Sequence, residues 1–130
     1  MSNVYYFIDK FDRDEILKLD KKINIIFRNY KITNIDSEIK KIKNLCKLTN
    51  RKIFVAGNIK IAQKYRLNGI YIPAFDNKLN YMNLNLTKNF KIIGSAHNIK
   101  EVKIKEKQGC TNIFISPIFH NPKNNSFLGV

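Results

Sequence analysis

A chain of 130 residues, 44% of them hydrophobic, has room for one domain with a modest core, and no apolar run approaches the roughly 20 residues that span a bilayer. The net charge of +14, from 24 Lys and Arg against 10 Asp and Glu, suits phosphate-bearing ligands. The lysines are scattered over helices and loops without one dense tract, which argues against a dedicated nucleic-acid function. Met1–Asp9 lacks the basic start of a secretory signal, and Cys46 and Cys110 belong to no CxxC or Cys/His cluster. The chain therefore reads as cytoplasmic, with two buried thiols.

In chain order, Val4–Asp9 (VYYFID) is an apolar run that predicts a first strand, with Tyr5 and Tyr6 sending one ring to each side. Asp12 to Leu19 predicts a helix capped by Asp12, with Glu15 at the capping-box position and Ile16 and Leu19 facing inward. Ile23–Phe27 (INIIF) predicts the second strand. A longer helix follows from about Asp36 to Leu48, its Ile35, Ile39, Ile42 and Cys46 recurring at helical spacing. Asp36 itself reads as a cap or strand-end residue. Lys52–Ala56 (KIFVA) is the third strand, and Gly57-Asn58 leads into a helix over Ile59–Leu67 closed by Asn68-Gly69. Ile70–Ile72 is a short fourth strand stopped by Pro73. Polar Asn77–Asn89 has room for a short helix near Leu79–Leu86.

The stretch Lys91–Lys123 then carries two strand-like runs, Lys91–Gly94 and Asn112–Ser116. Between them lies a helix with Asn98 as cap, Glu101 as its capping-box partner, Ile99, Val102 and Ile104 as the apolar stripe and Gly109 as the left-handed stop. Strand–helix–strand implies parallel neighbours joined by a right-handed crossover. The alternation throughout predicts an α/β fold with about six parallel strands. Two architectures compete: an open doubly wound parallel sheet, which suits the length, and a (β/α)₈ barrel, which typically needs about 200 residues or more.

In either architecture ligands gather at the C-terminal ends of the strands. Five segments there carry a resemblance: Ile26-Phe27-Arg28-Asn29-Tyr30, Val55–Ala62, Gly69–Asp76, Ser95-Ala96-His97 and Ser116–Lys123. In order and spacing they are similar to the thiamine phosphate synthase/TenI family, whose corresponding patterns are Q-L-R-x-K, I-N-D-R-x-D-L-A, G-V-H-L-G-Q-x-D, G-x-S-x-H and G-P-x-F-x-T-x-T-K. The resemblance implies a TIM-barrel-type α/β fold, incomplete at about six βα units. It also implies a single domain over residues 1–130, truncated before the last two units. Such a piece would have open edges, to be covered by a homo-oligomer or by chain continuing past Val130.

The family's reaction joins an aminopyrimidine methyl diphosphate to a thiazole phosphate with release of diphosphate, so the resemblance implies a Mg²⁺-dependent transferase of thiamin biosynthesis. It gives Arg28 and Lys123 to the diphosphate, Ser95 to the pyrimidine substrate and Asp76 to Mg²⁺. Ala56-Gly57 stands where the family has its Asn-Asp pair, Ile26 and Tyr30 replace the Gln and Lys that flank Arg28, and Asn121-Pro122-Lys123 is one residue shorter than T-x-T-K. A non-catalytic TenI-like domain that binds a phosphorylated pyrimidine or thiazole, or a partner chain, is the other reading. Each residue also has a plainer role open to it: a turn for Asp76, a carboxylate pair for Arg28, helix capping for Ser95 and His97.

Overall fold

A computed structural model describes residues 4–79, 81 and 87–115, together with the backbone of 119–120 and 127–128. The chain falls into two compact units, Met1–Ile70 and Tyr71–Val130. The first holds β1 (Val4–Ile8), α1 (Arg13–Lys18), β2 (Ile23–Phe27), α2 (Ile35–Leu48), β3 (Ile53–Ala56), α3 (Ile59–Lys64) and the start of β4 (Gly69–Ile72). The second holds the rest of β4, then β5 (Lys91–Ala96), α4 (Ile99–Lys107), β6 (Asn112–Ile115), β7 (Phe119–His120) and β8 (Phe127–Leu128). No described helix is long and apolar enough to cross a membrane.

Each strand of the larger sheet lies beside its neighbour in sequence, in the order β1-β2-β3-β4-β5-β6. β1 and β2, β2 and β3, and β5 and β6 pair in parallel. Right-handed crossovers that all step the same way put their helices on one face, which is the barrel-type arrangement. A doubly wound sheet needs a reversal of strand order, and this order has none, so the open-sheet alternative fails.

The four described α-helices start in one way. Asp12, Asn34, Asn58 and Asn98 are their N-caps, each side chain accepting the N–H three residues on, from Glu15, Ser37, Ile61 and Glu101. The reciprocal half of the expected capping box at Asp12 is absent, because the Glu15 carboxylate instead accepts the Tyr6 hydroxyl at 2.9 Å. Asp36 is no cap either. It sits in the first turn of α2, where it accepts from Lys64 Nζ at 2.7 Å and from the Tyr65 hydroxyl, and these two hydrogen bonds hold its carboxyl below the usual range.

Alternation along the strands separates two faces. The Tyr6–Glu15 contact puts Tyr6 toward α1, and the register Tyr6↔Ile25, Ile8↔Phe27, Ile25↔Ile53 and Phe27↔Val55 carries Ile8, Ile25, Phe27, Ile53 and Val55 with it. With Ile16, Ile39, Ile42, Leu45 and Cys46 they form the buried core beneath the helices. Tyr5, Phe7, Ile26 and Phe54 belong to the opposite face, where the Tyr5 ring meets Phe54 edge-on at 5.6 Å.

At the N-terminal ends of the strands, Arg51 is buried and its guanidinium donates to the carbonyls of Asp20 at 2.7 Å, Ile23 at 2.9 Å and Leu19 at 2.9 Å. That clamp ties the end of α1 and the turn into the first residue of β2 to the residue that precedes β3.

Several ends differ from expectation. α3 stops at the left-handed Arg66 (φ 52°), and Asn68 and Gly69 do not close it. Asn68 instead brackets Ile53, donating to its carbonyl and accepting its N–H at 2.9 Å, and Gly69 opens β4. β5 runs two residues beyond the expected Gly94 to Ala96. On α4, Ile99 is 72% exposed while Lys105 and Gln108 are fully buried, so the expected apolar stripe is inverted at those positions. β7 and β8 form an antiparallel pair, Phe119↔Leu128 and His120↔Phe127, partly within the segment read as a loop. The helix expected near Leu79–Leu86 lies mostly outside the described residues.

Candidate active site at the strand ends

In the first unit the site residues follow β2 and β3. Arg28 extends the β1–β2 ladder by one bond, its N–H donating to Ile8 O at 2.8 Å. Its guanidinium carbon lies 4.1 Å over the Phe7 ring, so the side chain occupies the face turned away from α1. Among the described residues no carboxylate pairs with it, and the guanidinium keeps its planar donor fork for an anion. An Asx turn shapes the loop that follows: Asn29 Nδ2 donates to Asp9 O at 2.9 Å and Asn29 Oδ1 accepts the Lys31 N–H at 3.0 Å. That loop carries Tyr30, whose Cε1 lies 3.8 Å from where a Cβ on Gly57 would be. Gly57 has φ +64°, a left-handed conformation that resists any side chain. Ala56-Gly57 thus offers neither amide nor carboxylate at the end of β3.

In the second unit the decisive marker is Gly94. A Cβ there would lie 2.7 Å from Lys105 Cδ and 2.7 Å from Cys110 Sγ, so Gly94 faces α4 and Ser95 faces away from it. Ser95 therefore lies within β5 and on the open face, not in a loop beyond the strand as expected. Its Oγ is 2.5 Å from the hydroxyl of Tyr71 on β4, and its register partner on β6 is Phe114. The Tyr71 and Phe114 rings stack at 6.2 Å and 29°. A row of Tyr71, Ser95 and Phe114 thus crosses three strands near their C-terminal ends.

Asp76 sits in the loop after β4. Its Oδ1 accepts the Lys78 N–H at 3.0 Å and its Oδ2 accepts the Tyr81 hydroxyl at 2.7 Å, so it does the turn-forming work that was its plainer reading. Its carbonyl accepts from Lys105 Nζ and from Gln108 Nε2, both at 2.8 Å, and Gln108 also donates to Lys78 O at 2.8 Å. Burial pushes the Lys105 ammonium below its ordinary value, partly offset by Cys110, Asp76 and Glu101 nearby. Burial likewise pushes the Cys110 thiol up to about 11. His97 precedes the Asn98 cap: its backbone N–H donates to Glu101 Oε1 at 2.7 Å, and its Nδ1 is 3.3 Å from the same oxygen.

Of the expected site residues, Asp76 and Ser95 lie in the second unit and Arg28 in the first. Lys123 lies outside the described residues, as do Ser116–Ile118 and Asn121-Pro122. Tyr71 was missed because a tyrosine in a buried apolar run reads as packing. Lys105 and Gln108 were missed because polar residues on a helix read as solvent-facing. Gly94 within a strand was the available sign of a close approach. Among the described residues no group of three or more His, Cys, Asp or Glu is arranged to cage a metal. A Mg²⁺ that takes one carboxylate and completes its shell with phosphate oxygens and water is compatible with Asp76, whose oxygens each keep a lone pair.

The fold matches that of thiamine phosphate pyrophosphorylase from Pyrococcus furiosus with a TM-score of 0.67 at 18% sequence identity. The match covers 98% of this chain and 65% of that one, so the chain spans about two thirds of the length of its structural relative. No curated protein matches the sequence. The family model for thiamine monophosphate synthase (TMP-TENI) matches residues 13–126, nearly the whole chain, and the chain belongs to that family.

Proposed function

We propose that the chain is a thiamin-biosynthesis transferase domain, acting in the cytoplasm on two small phosphorylated substrates. In this reading an aminopyrimidine methyl diphosphate loses diphosphate, which leaves with the bonding electron pair, and the ring nitrogen of a thiazole phosphate closes the new C–N bond. The observation that carries the proposal is the family match over residues 13–126, with Arg28, Asp76 and Ser95 each at or just past the C-terminal end of a strand.

The roles follow from side-chain chemistry. Arg28 holds the diphosphate through its donor fork, the guanidinium resting on the Phe7 ring. Lys123 adds a second positive charge by resemblance. Ser95 hydrogen-bonds the pyrimidine substrate. Asp76 would hold Mg²⁺ through its one carboxylate, and the ion would supply positive charge toward the departing diphosphate. Lys105 and Gln108 hold the Asp76 main chain in place from beneath.

One observation favours a second reading. Ala56 and the left-handed Gly57 supply no metal carboxylate at the end of β3, which suits a domain that binds a phosphorylated pyrimidine or thiazole without turnover. Calorimetric titration with the aminopyrimidine diphosphate, with and without Mg²⁺, followed by a turnover assay with both substrates, separates the two. The transferase predicts Mg²⁺-dependent binding, lost in Asp76→Ala, and product formation. Binding without product leaves the non-catalytic reading, and no binding in either condition overturns both.

A further inference from the structure

The first unit carries a cavity that the proposed reaction does not use. It measures about 840 Å³ and is lined from the end of α1 and the turn into β2, and from the end of α2 and the turn into β3. It thus lies at the N-terminal ends of β2 and β3, and Lys22 on its wall is about 20 Å along the strand from Arg28, at roughly 3.3 Å per residue. Leu17, Leu19 and Leu48 supply the apolar lining. One exposed leucine is ordinary, but Leu48 is 81% and Leu17 44% exposed, and both border the same hollow. The charged lining is mostly cationic: Lys21, Lys22 and Arg51 stand against the one carboxylate of Asp20, whose Oδ1 already accepts the Lys22 N–H at 2.9 Å. Among the described residues none of these three cations makes an ion pair. Arg51 is buried, its Nη1 and Nη2 bond to backbone carbonyls alone, and its Nε has no partner among the described residues. A buried cation that no carboxylate neutralises attracts an anion placed near it.

We propose that this cavity is a second ligand site, for a small amphiphilic anion: an apolar chain or ring that carries one phosphate or carboxylate head. The apolar body covers Leu17, Leu19 and Leu48, and the head sits with the Lys21 and Lys22 ammoniums in the field of Arg51. Both halves are needed. Inorganic phosphate leaves the leucines in water, and a neutral amphiphile leaves the cations unanswered. The volume falls within the roughly 300–1,000 Å³ of small-molecule sites, which favours a free molecule over a membrane surface, since a bilayer does not enter a hollow of that size. The Arg51 clamp holds Leu19, Asp20 and Ile23 together, so the apolar and charged parts of the site are presented as one piece. The site is independent of the transferase reading, whose residues lie at the other strand ends or in the second unit.

Titration of the full chain with octyl phosphate and with octanoate, followed by calorimetry and by amide NMR shifts, tests it. Octanol and inorganic phosphate are the controls for the two halves. At least one of the two anionic amphiphiles is expected to bind about 10-fold or more tightly than either control, with shifts at Lys21, Lys22 and Leu48–Arg51 and none at Arg28 or Asn29. Two variants change only exposed side chains and so leave the fold intact. Leu48→Ser is expected to weaken binding about 3- to 10-fold, the scale of part of a leucine's burial, and Lys21→Gln/Lys22→Gln by a similar factor that shrinks as salt is added. Octanol binding as well as both anions, shifts that map elsewhere, or unchanged affinity in both variants overturns the site. So does the absence of binding by either anion. Anionic phosphatidylglycerol vesicles that bind through Lys21 and Lys22 while the free amphiphiles do not would overturn it in favour of a membrane surface. Self-association of the chain that Leu48→Ser abolishes, without amphiphile binding, would overturn it in favour of a second copy.

Discussion

Replacing Gly94 by alanine adds one methyl group where β5 and α4 approach closely. Its carbon would lie 2.7 Å from both Lys105 Cδ and Cys110 Sγ, whereas carbon contacts settle at about 3.5–4.0 Å, so each neighbour must retreat by about 1 Å. Lys105 cannot do this freely. It is fully buried, and its Nζ is held 2.8 Å from the Asp76 carbonyl. Over-packing of this kind costs about 1–3 kcal/mol, and weakening a hydrogen bond from a charged donor adds part of a further 1.5–3 kcal/mol or so. We expect a loss of about 2–4 kcal/mol, a large share of the roughly 5–15 kcal/mol that holds a domain together. Urea unfolding of the full chain followed by circular dichroism measures it. The same substitution in a Lys105→Ala background should cost at least about 1 kcal/mol less, because the obstructing stem is gone. A Gly94→Ala stability within about 0.5 kcal/mol of wild type, or an equal cost in both backgrounds, refutes the close approach.

Three other outcomes are expected. Arg51→Met keeps most of the side-chain volume but strips donors from the carbonyls of Leu19, Asp20 and Ile23, and should cost about 3–5 kcal/mol in the same assay; a loss below about 1 kcal/mol would show the clamp to be dispensable. Burial raises the Cys46 thiol from 9.0 to about 11, so the unfolded chain gives up this proton first as pH rises. The corresponding stability, about 2–3 kcal/mol, is intact below pH 9 and fades toward pH 11; Cys46→Ala should flatten that alkaline decline, and an unchanged slope counts against it. Asn58→Ala removes the cap accepting from Ile61 N–H and should cost about 1 kcal/mol, with Asn58→Ser close to neutral, as read from thermal midpoints.

Strand positions were legible wherever β-branched residues ran together, as in Ile23–Phe27, because burial on both faces demands it. The N-caps were legible at Asp12 and Asn98, whose side chains do what their sequence position implies. Helix ends were less so. Arg66 takes the left-handed position although Asn68-Gly69 stands two residues on, since tertiary pairing draws Asn68 to Ile53. The α4 stripe misled for a specific reason: periodicity assigns lysine to solvent, but a long stem can run past a glycine and deliver its ammonium to a carbonyl of the loop after β4. Motif order singled out Arg28, Asp76 and Ser95 as expectations, whereas Tyr71 reaches Ser95 from 24 residues away and only the pairing of their strands joins them.

The strand order has a consequence for how the chain acquires its structure. Every pairing in β1-β2-β3-β4-β5-β6 joins a strand to the next one along the chain, so no closure has to span more than one crossover. Each described helix also carries its own start signal directly after the strand it follows. Contacts of short sequence separation form before distant ones, and loop-closure entropy grows only slowly with length. A sheet built this way can grow by accretion, one strand and its covering helix at a time, as it leaves the ribosome. Its topology gives no reason for an early strand to wait for a late one.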